Sequence, residues 1–371
     1  MTDTATQQRL SRREFLLGAV GLGAAALQGC RVDARRGGML LSAFEDARGE
    51  QFIGGVELAT RRIFGAPVSM RAHGCALDPL DPQRAVFFAR RPGTDGFELR
   101  LDTRQARRIF STGTGRHLAG HGVFSPDGQW LLTPEHDYQT PRGVITVRDA
   151  RNCSIAAEID TRGIDPHEIA WLPNGQLLVA NGGILTHPRT FRRKLNLASM
   201  DSSLCVLEVA SGTCVEQWRL PDHLLSIRHL AVASDGTAVV GLQYEGEWQR
   251  APSVAAWYRP RTGLQLLSAS QPDRARMHGY VASVVISEPA RLVAAACPLG
   301  GGIACWSLQP LQYLGFQSAG EICGLARLSN GGVMASNRDG SAYWLAGRAL
   351  QPWRFDRSAK IHWDDHWVAL G

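Results

Sequence analysis

His121-Gly122-Val123-Phe124-Ser125-Pro126-Asp127-Gly128, continued by Trp130-Leu131-Leu132, is the stretch whose reading decides the fold. A histidine opens it, a short apolar run follows, a Pro-Asp-Gly turn ends that run, and a second apolar run leaves the turn. Two apolar runs joined by Asp-Gly read as a β-hairpin. The same order returns at His229-Leu230-Ala231-Val232-Ala233-Ser234-Asp235-Gly236, continued by Ala238-Val239-Val240. Looser copies begin at His73, His167 and His278. Another begins at Cys323, where Gly324 to Asn330-Gly331 keeps the spacing without the histidine. The starts at 73, 121, 167, 229, 278 and 323 lie 48, 46, 62, 49 and 45 residues apart. Strand-turn-strand units at a period in the forties are the signature of propeller blades.

Six units are complete. Two fragments flank them: residues 38–66, with Met39 to Phe44 and Val56-Glu57-Leu58 as strands, and the stretch from Ile361 to Leu370. Neither fragment can satisfy its own sheet edges, and together they supply a seventh blade. His366 falls 43 residues after Cys323, in register with the repeat. The expected fold is all-β: one seven-bladed β-propeller domain over residues 31–371, closed by strands from the N- and C-terminal ends. Residues 182–203 form the longest non-periodic insertion. They account for the 62-residue interval after His167 and are expected to project as a loop.

Composition is consistent with a soluble globular chain. Of 371 residues, 44% are hydrophobic and 20% charged, and the net charge is +6. The basic runs are short and not interleaved with aromatic residues, which argues against nucleic acid as a partner. Residues 1–30 read as a signal peptide. Ser11-Arg12-Arg13-Glu14-Phe15-Leu16-Leu17 matches a twin-arginine export signal, and the apolar run from Gly18 to Leu27 is too short to span a bilayer. The expected location is therefore the periplasm. Leu27-Gln28-Gly29-Cys30 resembles a lipobox, so Cys30 is a candidate lipid anchor and the only expected membrane contact. Seven cysteines remain after Cys30 without tight spacing, which is not a disulfide framework. Cys297 and Cys305, flanking the hairpin loop Pro298 to Gly302, are the one pair placed to bridge.

In a propeller the innermost strand of each blade lines the central channel. The repeating histidine stands at the start of that strand, so His73, His121, His167, His229, His278 and His366 are expected near one channel mouth. His167 is one residue out of register, because Glu168 takes the aligned place. Imidazole is the commonest transition-metal ligand, which makes His121, His229 and His366 candidate metal ligands for a divalent transition metal. A histidine at a strand start also serves structurally, by hydrogen-bonding the carbonyl of a neighbouring blade. Glu135-His136-Asp137-Tyr138, Ala180-Asn181-Gly182-Gly183 and Gln243-Tyr244-Glu245-Gly246 recur at one point of the unit. Asp137, Asn181, Tyr244 and Glu245 are therefore expected to add a polar floor to the ligand site. No GxSxG, HExxH or Walker loop occurs, and no catalytic residue is assigned.

Gly120-His121-Gly122-Val123-Phe124-Ser125-Pro126-Asp127-Gly128, Asn181-Gly182-Gly183-Ile184 with His187-Pro188 and Lys194-Leu195-Asn196-Leu197, Ser226-Ile227-Arg228-His229-Leu230-Ala231 and Gln243-Tyr244-Glu245-Gly246 together resemble the DUF1513 family. The resemblance covers roughly residues 38–370. It implies an exported bacterial, YVTN/WD40-like propeller of seven blades. It further implies a setting beside imelysin-like, iron-regulated periplasmic proteins and a di-haem thiol-oxidoreductase-like protein, hence a role in iron or metal acquisition and an imelysin-like partner. The family often reads Glu-Asn-Asp-Tyr where this chain has Glu135-His136-Asp137-Tyr138, and Trp-Asp-Asn-His where it has Trp363-Asp364-Asp365-His366.

Three functions follow as alternatives. The first is a non-catalytic propeller that binds a metal, a metal complex or a partner protein. The second is a metal-dependent hydrolase or oxidoreductase working at the channel mouth. The third is a docking scaffold whose histidines are structural.

Overall fold

A computed structural model describes residues 38–191, 193–347, 349–356 and 360–371. The expected signal peptide, with its lipobox-like Cys30, falls outside these residues. Seven antiparallel sheets, consecutive in sequence, form the seven blades. The first blade runs from the inner strand Ala72–Leu77 to the outer strand Gln105–Ser111, and the second from Arg116–Leu118 to Ile155–Asp160. The third spans Pro166–Trp171 to Thr213–Trp218, the fourth Leu225–Val232 to Gly263–Leu266, the fifth Ser283–Ser287 to Leu311–Ser318, and the sixth Ile322–Arg327 to Ala349–Trp353. Among the described residues helix is almost absent: one short α-helix, Gln271–Arg276, and four single 3-10 turns. Among the described residues no helix is long and apolar enough to cross a membrane.

The turns that punctuate the repeat form for local reasons. At Ser125 to Gly128 the Gly128 N–H donates to the Ser125 carbonyl (2.8 Å), and Asp127 Oδ1 accepts from Gln129 N (3.1 Å). Gly128 has φ +69° and Gly236, at the equivalent turn, +84°, values a side chain resists. Second strands such as Arg84–Ala89 and Leu292–Cys297 are buried on both faces, because blades pack face to face around the disc. Their β-branched and small apolar residues suit that position.

The seventh blade closes the ring as its split sequence requires. Met39–Asp46 pairs on one side with Gln51–Glu57, and on the other with Ile361–Trp363 and Val368–Leu370. The C-terminal residues thus supply the innermost strand, with Leu41 opposite Val368 and Phe44 opposite Trp363. Trp363 and Trp367 are buried against Phe44, Leu40 and Val56, so the closure is a hydrophobic seam as well as a ladder. The cysteine pair does not form the bridge its spacing allowed. Cys297 is paired in register with Gly302, Cys305 with Ala294, and both thiols are free.

Candidate functional site

The inner strands deliver the repeat histidines by breaking their own register. In the first blade the ladder slips between Ala72 and Cys75, around His73; in the third between Pro166 and Ile169, around His167 and Glu168. In the fourth it slips between Ile227 and His229, and in the sixth between Ile322 and Gly324, around Cys323. In the second blade the inner strand is split into Arg116–Leu118 and Val123–Phe124, and His121 lies in the gap. In the seventh it is split at Asp364 to Trp367, which holds His366. A regular strand sends neighbouring side chains to opposite faces, whereas a bulge re-aims one of them. The repeat position is therefore a break in the inner strand, a bulge or a gap, and at five of these breaks a histidine stands in or beside the break.

Those five imidazoles converge. Ring centroids are 4.5 Å apart for His73 and His366, 4.7 Å for His121 and His366, 5.1 Å for His121 and His167, 4.9 Å for His167 and His229, and 4.9 Å for His229 and His366. They come from blades seven, one, two, three and four, which are consecutive around the disc. Blades five and six leave the space that the seventh blade's loop occupies. A Cβ on Gly324 would lie 3.2 Å from the His366 carbonyl carbon, and Cys323 Sγ lies 3.6 Å from the Asp364 carbonyl. The unit that lost its histidine is thus the one against which His366 leans. Gly120 plays a similar part beside His73: its φ is +104°, and a Cβ there would meet the His73 ring at 2.8 Å.

Two carboxylates orient the rings. Asp364 Oδ1 holds His73 Nδ1, while Asp364 Oδ2 accepts from Arg71 Nε at 2.7 Å. His73 Nε2 is then turned inward, 3.2 Å from His366 Nε2. Glu168 Oε2 lies 3.2 Å from His229 Nδ1 and accepts from Leu230 N at 3.1 Å. His121 Nε2 is buried and has no hydrogen-bond partner. A carboxylate on one ring nitrogen with the other nitrogen turned to a shared centre is the outer-shell arrangement of histidine metal sites.

Electrostatics keep four of the five rings neutral. Burial, reinforced by neighbouring imidazoles and, for His167 and His229, by Arg228, pulls the pKa of His121, His167 and His229 well below the ordinary imidazole value. The same cause takes His366 down to about 3. Burial raises Glu168 above the ordinary carboxylate range, whereas His73 and the guanidiniums of Arg90 and Arg71 hold Asp364 well below it. Neutral imidazole is the ligand form. Two groups of three histidines have ligand atoms within 4.8 Å of one another: His73, His121 and His366, and His121, His167 and His229. A third group of that kind, His73 with Asp364 and Asp365, already faces Arg71, Arg90 and Arg338, whose charges oppose a cation there.

The structure thus brings together His73, His121, His167, His229 and His366 and adds Glu168, which stands at the aligned place beside His167. It separates the rest. His278 follows the helix Gln271–Arg276 with φ +54° and stacks on the exposed Trp248 ring at 3.7 Å, away from any inner strand. Asp137 Oδ1 accepts from Gln139 N and Thr140 N, capping a hairpin turn. Asn181 Nδ2 donates to the Thr161 carbonyl and to Ser203 Oγ inside the third blade. Tyr244 lies beside Asp222, which with burial raises its pKa. Glu245 is paired with Lys194, which the 182–203 insertion carries in over the disc. The expected polar floor is therefore not a shared surface of these four residues.

Residues 66–370 match the family described as "Protein of unknown function (DUF1513)". Among solved structures, hydrazine synthase of Kuenenia stuttgartiensis superposes with a TM-score of 0.58 at 14% identity, over 85% of this chain and 95% of that one. A protein of unknown function from Bacteroides caccae gives a TM-score of 0.48 at 11% identity, over 90% of this chain and 99% of that one. At 14% identity the likeness to hydrazine synthase shows the fold alone. No curated protein matches the sequence.

Proposed function

The chain belongs to the DUF1513 family, and we propose that it is an exported, non-catalytic propeller that binds a divalent transition metal at the histidine mouth of its channel. The observation that carries this reading is the 3.2 Å separation of His73 Nε2 and His366 Nε2, with His73 oriented from behind by Asp364. A tetrahedral ion at about 2.0–2.1 Å from each nitrogen sets its ligand atoms roughly 3.3 Å apart. The two rings stand at that spacing, and His121 Nε2, buried and unpartnered, is the natural third ligand. A purely stapling role fits less well, because stapling histidines would spend their ring nitrogens on carbonyls of neighbouring blades. Here the rings face each other and the carboxylates of Asp364 and Glu168.

The family setting favours metal acquisition in the periplasm, with an imelysin-like protein as partner, and Arg12-Arg13 favours export of the folded chain. The test is the metal content of untagged protein purified from the periplasm, measured by mass spectrometry. About one equivalent of copper, zinc or iron per chain, lost in His121→Ala, supports the reading. Metal-free protein that also takes up none on dialysis against these ions overturns it.

A further inference from the structure

Behind the histidine cluster lies a second feature that metal binding does not use. A cavity of about 120 Å³ is walled by Arg90, Arg91, Arg228, Lys194, Gln243 and Tyr280. His73 and His167 form the wall it shares with the cluster. Four cations facing one small cavity are costly unless anions offset them, and here the carboxylates are shared. Asp165 serves two guanidiniums, Arg91 at 2.6 Å and Arg228 at 3.7 Å. Arg90 divides itself between Asp364 at 3.5 Å and Asp365 at 2.9 Å, and both carboxylates are also claimed by others, Asp364 by Arg71 and Asp365 by Arg338. Lys194 pairs with Glu245. Asp165, Asp364 and Asp365 each serve more than one cation, so positive charge is gathered at the cavity.

Two further observations concern that charge. Arg228 is 4% exposed and its Nε is buried with no hydrogen-bond partner. Burial and the neighbouring charges of Arg228 and Arg90 pull the pKa of Arg91 below its ordinary value, the mark of guanidiniums crowded together. Tyr280 is also buried enough that its hydroxyl stays protonated far above neutrality, a neutral donor in the same wall.

We propose that this cavity is a binding site for a small dianion, a tetrahedral oxyanion or a short dicarboxylate. The guanidinium forks match planar or tetrahedral oxygens in bidentate fashion, which is what arginine supplies beyond charge. The 182–203 insertion has a role in this arrangement, since it carries Thr186 and Lys194 to the cavity. The site goes beyond the metal reading and stands without it, although a dianion seated beside His73 and His167 would sit next to any ion the cluster binds.

The experiment is calorimetric titration of the mature protein, treated with chelator and dialysed into low-chloride buffer, with sulfate and separately with oxalate. Saturable one-site binding of either dianion, weakening as chloride is added, is the expected result. Sulfate preference identifies an oxyanion site and oxalate preference a dicarboxylate site. Lys194→Gln and Arg228→Gln should each weaken binding about tenfold or more, through loss of one charge-assisted hydrogen bond. Lys194 is partly exposed, so its variant keeps the test valid if Arg228→Gln fails to fold. Absence of saturable binding by the wild-type protein overturns the proposal, as does equal affinity in wild type and Lys194→Gln. No metal is present in the titration, so this outcome is distinct from failure of the metal reading.

Discussion

Deleting residues 361–371 should abolish cooperative folding. The deletion removes Ile361–Trp363 and Val368–Leu370, the two segments that pair with Met39–Asp46. It leaves that strand as an open edge at the channel, with unpaired N–H and C=O groups. It also empties the seam. Ile361, Trp363 and Trp367 are 5%, 1% and 4% exposed, and Trp363 sits edge-on to Phe44 with ring centroids 5.3 Å apart. Truncating a buried tryptophan to alanine costs about 3–5 kcal/mol and an isoleucine about 2–5. The three together reach roughly 8–15 kcal/mol, comparable to the whole stability of a domain, about 5–15 kcal/mol. Loss of Asp364 and Asp365 further strips Arg71, Arg90 and Arg338 of their buried counter-charges. Differential scanning calorimetry on the mature and truncated proteins reads the result. The truncated protein should show no cooperative transition, or a much lowered one, and should aggregate. The single change Trp363→Ala should lower stability by about 3–5 kcal/mol. A truncated protein that melts like the intact one would refute closure by the C-terminal strands.

Three further outcomes follow. Asp364→Asn should cost about 3–5 kcal/mol, because a buried partner of Arg71 and Arg90 loses its charge. In the protein that still folds, it should weaken Cu²⁺ binding roughly 10–100-fold by releasing His73 from its tautomer; unchanged affinity in titration would remove Asp364 from the site. Stability should fall with acidification below pH 6.5. His117 is buried, stacked on His136, and lowered from 6.5 to about 4, and His136 is lowered well below 6.5 by burial and by His117 and Arg91. Both are neutral in the fold, whereas the unfolded chain protonates them below about pH 6.5. Their contribution is therefore complete above that pH and declines towards pH 4, by about 3 kcal/mol for His117 alone. Urea midpoints at pH 7.5, 6 and 4.5 measure this, and a midpoint that stays flat or rises would contradict it. Lysine at both Arg12 and Arg13 should hold the precursor in the cytoplasm, read by cell fractionation; normal periplasmic accumulation would reject the twin-arginine route.

The propeller was legible because its period is written in turn chemistry. Asp127-Gly128, Asp235-Gly236 and Asn330-Gly331 mark equivalent hairpins, and the two unpaired fragments at the ends of the repeat could only complete each other. The site was legible wherever histidine kept its distance from the turn, as at His121 and His229, or from the ring closure, as at His366. His167 read as one residue out of register, because spacing assumes a regular strand and the bulge between Pro166 and Ile169 turns both His167 and Glu168 to use. His278 failed the other way. It has the right period and an apolar run after it, but a helical turn ending in a left-handed residue precedes the strand and sends the ring to Trp248. Asp137 and Asn181 share a place in the repeat, yet local hydrogen bonds within their own blades claim them. The cationic cavity lay beyond sequence reading, since Arg90, Arg91, Arg228 and Lys194 come from two blades and an insertion with no common spacing.

The central claim is that repeat histidines, gathered by the ring, form a metal site. Calorimetric titration of the mature protein with Cu²⁺, Zn²⁺ and Fe²⁺, beside a variant with alanine at His121, His229 and His366, tests it most directly. The wild type should bind with saturation and favour Cu²⁺ over Zn²⁺ and Fe²⁺ by the usual stability order, and the folded variant should lose that binding. Equal, weak uptake by both proteins would contradict the account and leave the five histidines as packing of the channel mouth.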